Sequence, residues 1–334
     1  MKGNMEKKKE SFKVAKIAIL GRPNAGKSTM LNALLGAELC ATSSRPQTTR
    51  KKILGVIQRY KGRKWSGQLI LTDTPGINFQ KGALERTFFN AVEEALSDVD
   101  VVLWIADARS FEKDLIDLEM DKVQEDRVAN WMQDKIKKTD QPWILVLNKA
   151  DVVEKGELLP LIERSLKTLP QFKEVVPISA AKGLQDKDSN LPALLNVLDT
   201  YAHDSEPLYD RETFTSTSSR ELIREFVREA IFRTTKKEVP YQSECQILRY
   251  QEAGEGRKRP EVDAVILVSR PSLKAILVGS KGQKIKEIGM AARKRFEELT
   301  GQELILRLVV KVVDRWEQRP DMVEELYSSQ GARR

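Results

Sequence analysis

An α/β domain with a mostly parallel sheet, followed by a smaller α+β domain, is the architecture predicted by this 334-residue sequence. Three observations predict it. Short apolar runs alternate with helix-period stretches through the first two hundred or so residues, as strands and covering helices do in a parallel sheet. A stretch rich in Asp, Pro, Ser and Thr then interrupts that pattern over 203–219. Beyond it the order changes to helix, strand, strand, helix, helix, strand. The length also exceeds what one domain usually holds.

The first strand is read at 14–20. It ends in a glycine-containing loop, and a helix follows over 27–36. Further strands are expected at 67–72, 99–106, 142–147 and 175–178, with helices at 85–96, 114–137, 157–169 and 191–201. In such sheets ligands bind beyond the carboxyl ends of the strands. The second unit is read as helix 220–233, strands 241–250 and 261–269, helices 272–278 and 283–299, and strand 303–313, with the hairpin turn at 254–260. The expected boundaries are a basic tail 1–13, a first domain 14–202, a linker 203–219, a second domain 220–318 and a carboxy-terminal tail 319–334.

Hydrophobic residues make up 40% of the chain, enough for two ordinary cores, and the net charge of +8 favours a polyanionic partner such as nucleic acid or an acidic membrane surface. Cys40 and Cys245 stand alone at distant positions, so neither a disulfide framework nor a cysteine metal site is indicated, which fits a reducing cytosol. His203 is the single histidine, which argues against a histidine metal site and a Ser-His pair. No apolar run approaches the roughly 18–20 residues that span a bilayer. The lysine-rich stretch 1–10 lacks the apolar core of a secretory signal and reads as a solvated tail.

Gly21-Arg22-Pro23-Asn24-Ala25-Gly26-Lys27-Ser28 fits the phosphate-binding loop, between a strand and a helix as that motif requires, with Thr29 in the first helical turn. Glycines let backbone N–H groups turn inward around phosphates, and the helix presents its positive end. Lys27 would reach the β- and γ-phosphates, and the Ser28 hydroxyl would ligate Mg²⁺. Asp73-Thr74-Pro75-Gly76 follows the strand at 67–72; alone it is a good turn, but its distance after the phosphate loop makes Asp73 a Mg²⁺ partner and Gly76 a γ-phosphate contact. Asn148-Lys149-Ala150-Asp151 follows the next motif-bearing strand. Asp151 can accept two hydrogen bonds from guanine, at N1–H and the exocyclic amine, and adenine offers no such pair. Ser179-Ala180, at the end of the next strand, would supply a backbone contact to the guanine carbonyl. GTP and GDP with Mg²⁺ are therefore the expected ligands, and GTP hydrolysis the expected reaction.

These motifs resemble the small-GTPase superfamily. Asn24 and the stretch Arg45-Pro46-Gln47-Thr48-Thr49-Arg50 narrow the resemblance to the translation-factor-like branch that includes the Era family. The resemblance implies that a threonine of that stretch completes the Mg²⁺ shell; Thr49 is favoured over Thr48. It also implies a K⁺ site at Asn24, the ion acting as an arginine finger would, although Asn24 could equally only shape the loop. Lys27, Thr49, Asp73 and Gly76 are thus the residues expected at the chemistry. Many relatives place a glutamine after the Asp-x-x-Gly; this chain has Ile77, which cannot orient a water, so intrinsic turnover is expected to be slow. Arg45 and Arg50 are read as solvated on the switch loop, with supply of charge to the site in cis as the alternative.

In the second unit, Gly279-Ser280-Lys281-Gly282 is a Gly-x-x-Gly loop between two helices, followed by Lys284 and Lys286. Two glycines let the backbone lie against a nucleic-acid strand, Lys281 can pair with phosphate, and Ile276, Leu277 and Val278 can line a groove for bases. With this element order the unit resembles a KH domain of the prokaryotic type, an α+β type II KH domain that clamps single-stranded nucleic acid. The resemblance to the Era family, carried also by 221–224 and 238–241, then covers nearly the whole chain. It implies a bacterial, cytoplasmic GTPase that binds single-stranded RNA near the 3′ end of small-subunit ribosomal RNA, acts in assembly of the 30S subunit, and associates peripherally with the inner face of the cell membrane; nothing in the sequence suggests more than a monomer. Segments 114–140 and 59–65 exceed the family pattern and are read as surface elaborations. A rival reading, a membrane or cell-cycle signalling GTPase whose basic domain contacts anionic lipid, is disfavoured because no amphipathic Trp/Phe face is evident. A tRNA-modification GTPase is disfavoured by the Gly279–Gly282 loop.

Overall fold

Strand β1 (Lys13–Gly21) lies at the middle of the first sheet because nearly every residue along it is apolar and both its faces are covered. The computed structural model describes residues 11–42, 49–77, 83–119, 127–254, 256 and 258–327. Within them the first domain runs β1, α1 (Lys27–Leu35), β2 (Ile53–Lys61), β3 (Lys64–Asp73), α2 (Ala83–Leu96), β4 (Val101–Asp107), α3 (Ala108–Glu119), α4 (Arg127–Lys138), β5 (Trp143–Asn148), α5 (Lys155–Thr168), β6 (Phe172–Ile178), α6 (Leu191–Asp199) and the short β7 (His203–Asp204). The sheet order is β2-β3-β1-β4-β5-β6, all parallel except the edge strand β2, and β7 pairs antiparallel with β1. Alternate residues of β1 feed different cores: Ala15, Ile17 and Ile19 join one cluster, Ala18 and Leu20 another.

Three readings change here. Strand β2 is additional to the expected strands, and 59–65 is the tip of its hairpin with β3, turning at Gly62 (φ 63°). Arg59 holds Asp199 at the end of α6, with Nε 2.8 Å from Oδ1, so the tip is tied to the domain. The single helix expected over 114–137 is instead α3 and α4, with 120–126 outside the described residues. Helix α4 is no surface ornament: Val128, Met132 and Ile136, spaced by four, are buried, and Trp131 meets Phe89 of α2 edge-on at 5.9 Å.

The segment read as a linker runs along the outer edge of β2. Val56 N–H donates to Phe214 O (2.8 Å), and Thr215 Oγ1 donates to Leu54 O (2.5 Å). That covers an edge that would otherwise be open to another strand. Ser218 then caps α7 (Ser219–Thr234), accepting from Glu221 N–H at 3.3 Å. The second domain continues with β8 (Ser243–Gln251), β9 (Glu261–Val268), α8 (Pro271–Val278), α9 (Gln283–Thr300) and β10 (Ile305–Val312). Its sheet order is β10-β9-β8, with β9–β10 parallel and β8–β9 antiparallel. The segment read as a carboxy-terminal tail carries a further helix, α10 (Pro320–Tyr327). It packs with Trp316 between the outer face of this sheet and α2, where Leu84 and Phe88 meet Val265, Leu267, Val323 and Leu326.

The first core cluster includes Leu39 and Cys40 together with residues of α7, β8, β9 and α9, so the two domains share apolar packing. Both cysteines are buried and free, Cys40 in the first domain and Cys245 in the second. Among the described residues no helix is long and apolar enough to cross a membrane.

Trp316 is fully buried and donates its indole N–H to Gln242 O at 3.2 Å. Truncating it to alanine leaves a cavity in the shared α2–α10 core. Trp316→Ala is expected to lower unfolding stability by about 3–5 kcal/mol, read by denaturant titration of the circular dichroism.

Candidate nucleotide and nucleic-acid sites

The carboxyl ends of β1, β3, β5 and β6 deliver the loops 21–28, 73–76, 148–151 and 179–180 to one edge of the sheet. They surround a cavity of about 780 Å³, a volume within the range of nucleotide-sized ligands. The loop 21–26 turns through Asn24 in the left-handed region (φ 63°) and Gly26 at φ 102°. A Cβ on Gly26 would lie 2.0 Å from Asn148 Nδ2, so only glycine fits there. Gly76 approaches the same loop, where a Cβ would sit 2.8 Å from Pro23 Cα.

Asn148 is the tie between the loops. Its side chain is buried, donates to Ala25 O (2.8 Å) and accepts from Ala180 N–H (3.0 Å). Ser179 Oγ accepts from Asp151 N–H (3.0 Å), which sets the exposed Asp151 beside the Ser179-Ala180 turn. Lys149 reaches across the cavity wall to Asn24 O (2.9 Å) and Asp107 (2.7 Å). Asp107 carries no motif that would single it out from the sequence. It ends β4, also holds Arg109, and its carboxyl is lowered to about 2: burial opposes this, but the Arg109 and Lys149 hydrogen bonds prevail.

Lys27 is buried, donating to Gly21 O (3.2 Å) and Arg22 O (3.0 Å). Burial lowers its ammonium to about 8, with Asp73 opposing. Burial likewise pushes the Asp73 carboxyl up to about 6, against Lys27 and Ser28. Asp73 Oδ2 accepts from Ser28 Oγ (2.6 Å), and Ser28 Oγ lies 2.9 Å from Thr49 Oγ1. Asp73 Oδ1 is buried with no hydrogen-bond partner among the described residues. An anion at Lys27 and a cation at Asp73 would each offset the desolvation that displaces these groups. Ser28, Thr49 and Asp73 present hard oxygen donors, the set that suits Mg²⁺. Thr29 lies half-buried in the first turn of α1 on the cavity wall. Ile77 is buried in the core, and its N–H donates to Gly21 O (3.1 Å).

Thr48 and Arg45 lie outside the described residues. Arg50 does not fit its reading: it is buried, not solvated, and belongs to the domain interface. Asn32, which no motif marks, grips the backbone of Cys40 through both ends of its amide, at 2.9 and 2.7 Å.

In the second domain Gly279 (φ 68°) leaves α8, Lys281 takes a left-handed conformation (φ 51°), and Gly282 (φ 77°) starts α9. A Cβ on Gly279 would come within 2.7 Å of Lys284 Cβ, so glycine allows the close return. Ser280 and Lys281 are exposed, and Lys284 pairs with Glu287 at 2.7 Å. Of the three apolar residues expected to line a groove, Leu277 is in the core; Ile276 is exposed and Val278 packs against the core's edge.

Comparison with known proteins agrees with this geometry. Residues 16–149 match the family of 50S ribosome-binding GTPases, and residues 227–317 match the KH domain family. The chain is 35% identical to the GTPase Era of Aquifex aeolicus over 93% of this chain and 98% of that protein. It is 33% identical to the GTPase Era of Trichlorobacter lovleyi over 95% and 98% of the two chains. The crystal structure of a point variant of Aquifex aeolicus Era bound to GDP·AlF₄⁻ superposes with a TM-score of 0.82 at 34% identity, covering 94% of this chain and 99% of that one. A structure of Era with MgGDPNP and nucleotides 1506–1542 of 16S ribosomal RNA gives 0.81 at 34% identity, covering 94% and 98%.

Asn148→Ala would strand two buried partners, Ala25 O and Ala180 N–H. Each unsatisfied group costs about 1–3 kcal/mol. GDP affinity is expected to fall by about tenfold or more, since about 1.4 kcal/mol is tenfold, as measured by calorimetric titration.

Proposed function

The chain belongs to the Era family of GTPases, and from that membership we propose that it is a GTP-hydrolysing switch that binds single-stranded RNA near the 3′ end of small-subunit ribosomal RNA and assists assembly of the 30S subunit. The observation that carries this reading is the joining of two sites in one chain: the loops tied by Asn148, and the Gly279–Gly282 loop between α8 and α9. A relative of the same architecture has been solved with both MgGDPNP and 16S ribosomal RNA nucleotides.

In this reading Gly21–Ser28 wraps the phosphates, Lys27 offsets charge on the transferring group, and Asp151 with the Ser179-Ala180 turn selects guanine. Ser28, Thr49 and Asp73 would hold Mg²⁺, which supplies charge to the phosphate oxygens. Gly76 N–H would meet the γ-phosphate. The residue after Gly76, Ile77, is apolar and buried and cannot orient water, so turnover is slow without a partner. Gly279, Ser280, Lys281 and Gly282 would lie along the RNA backbone, with Lys284 and Lys286 adding charge. GTP would order the stretch at Thr49 and the Asp73–Gly76 loop, and hydrolysis would release them. A cytoplasmic location follows from a ribosomal partner. Peripheral attachment to the inner membrane face is a separate part of the proposal, which liposome flotation competed with RNA would test.

The central test is binding of an RNA copying the 3′ end of small-subunit ribosomal RNA, at one fixed salt concentration, with a GTP analogue and with GDP. Tight binding, favoured by the analogue and lost in Gly282→Asp, is expected; weak binding indifferent to both would overturn the RNA reading. A second expectation concerns Asn24. If its side chain holds K⁺, GTP turnover is faster in KCl than in NaCl, and Asn24→Ala abolishes the difference; equal wild-type rates would refute it.

A further inference from the structure

Arg50 follows Thr49 directly, yet its side chain leaves the first domain altogether. It is fully enclosed by the second, where it pairs with Glu244 at 2.8 Å. Its two terminal nitrogens also donate to Ser243 O (3.1 Å), Tyr241 O (2.9 Å) and Pro240 O (3.4 Å). One residue earlier, Thr49 Oγ1 stands 2.9 Å from Ser28 Oγ of the phosphate loop. The backbone between these two anchors is a single peptide bond. A displacement of Thr49 can be taken up only by the torsions beside that peptide and by the Arg50 side chain, whose far end is fixed by Glu244 and three carbonyls.

The other end of the same stretch is held as well. Arg295 of α9 contacts Glu38, pairs with Glu229 at 3.2 Å and donates to Cys40 O at 3.5 Å, while Thr42 N–H donates to Glu229 at 3.4 Å. Helix α9 is the helix that the Gly279–Gly282 loop opens. Helix α2, which follows the Asp73–Gly76 loop, packs through Leu84 and Phe88 on Trp316 and α10. Both loops that surround the γ-phosphate position are thus joined to the second domain. Among the described residues, Arg50 alone makes the join by a directional, fully desolvated ion pair one residue from the cluster of Ser28, Thr49 and Asp73 oxygens.

We propose that Arg50 is the positioning residue that couples the nucleotide site to the seat of the KH domain, so that the placement of Thr49 sets the orientation in which RNA is bound. This rests on the switch reading above and names the residue that carries it. Linkage makes the coupling reciprocal: RNA must favour the GTP analogue by the same factor by which the analogue favours RNA.

Arg50→Met can test this without orphaning a charge, because Glu244 keeps Arg224 at 3.3 Å and Arg228 at 3.4 Å. The experiment uses the full chain and measures RNA dissociation constants with GTP analogue and with GDP, alongside GDP affinity and the unfolding midpoint. Couplings of this kind are typically about 5- to 150-fold. The expected result is a wild-type ratio in that range that collapses toward one in Arg50→Met, with RNA binding in GDP and GDP affinity little changed. A variant that keeps the wild-type ratio would overturn the assignment of Arg50 and leave the switch intact. A wild-type ratio of one would remove the switch itself, and with it any role for Arg50. Should Arg50→Met fail to fold, Arg50→Lys decides by the same ratio, since it retains the charge but cannot span Glu244 and the carbonyls of Ser243 and Tyr241 together.

Discussion

Over residues 222–232 helix α7 has no solvent face, although the run contains Arg224, Glu225, Arg228 and Glu229. Burying an unpaired ion costs several kcal/mol after relaxation, so each of these side chains needs an opposite charge inside the protein. The partners come from every direction. Glu244 of β8 takes Arg224 and Arg228; Arg228 also pairs with Glu225, and Glu229 meets Arg233 and Arg295. Tyr327 of α10 donates its hydroxyl to Glu244, and Arg50 closes the cluster from the first domain. Burial works against the Glu244 carboxylate, but Arg224, Arg228 and Arg50 together hold its carboxyl far below the usual range. Such clusters add little net stability compared with apolar packing, but removing one partner strands a buried charge.

The nucleotide site obeys a different constraint. Parallel strands place their carboxyl ends on one side, so four loops far apart in sequence converge without any of them being long. Asn148 then fixes their spacing by using the donor and the acceptor of one amide. A carboxylate, which only accepts, could not serve both Ala25 O and Ala180 N–H at once. Lys27 and Asp73 are displaced in opposite directions by the same burial, which prepares the cavity for a ligand with negative phosphate and positive metal side by side.

What could be read from the sequence was local. The phosphate loop, Asp73–Gly76, Asn148–Asp151 and Gly279–Gly282 are contiguous runs whose residue types are dictated by backbone shape, and the chain brings the first three together around one cavity. The readings that changed depend on contacts distant in sequence. Arg50 looks like any loop arginine until Glu244, nearly two hundred residues on, is seen against it. Strand β2 carries Gly55, Gln58 and Arg59 and so lacks clean alternation; its identity comes from pairing with β3. The charges of 114–137 suggested one exposed helix, and the four-residue spacing of Val128, Met132 and Ile136 was hidden among lysines. Helix α10 is too short to declare itself and is held by Trp316 and Phe88.

The two cysteines acquire a use from where they sit. Cys40 is held at the edge of the first domain, its backbone gripped by Asn32 and Arg295, and Cys245 follows Glu244 in β8. Both are buried, and burial raises both thiols, so neither reacts readily while its surroundings are closed. The chain therefore carries an intrinsic reporter on each side of its joint. A thiol reagent reaches Cys40 only when its packing against the second domain's helices opens, and Cys245, in register with Ile266, only when the apolar core beneath β8 and β9 opens. Both can be read in the unaltered protein.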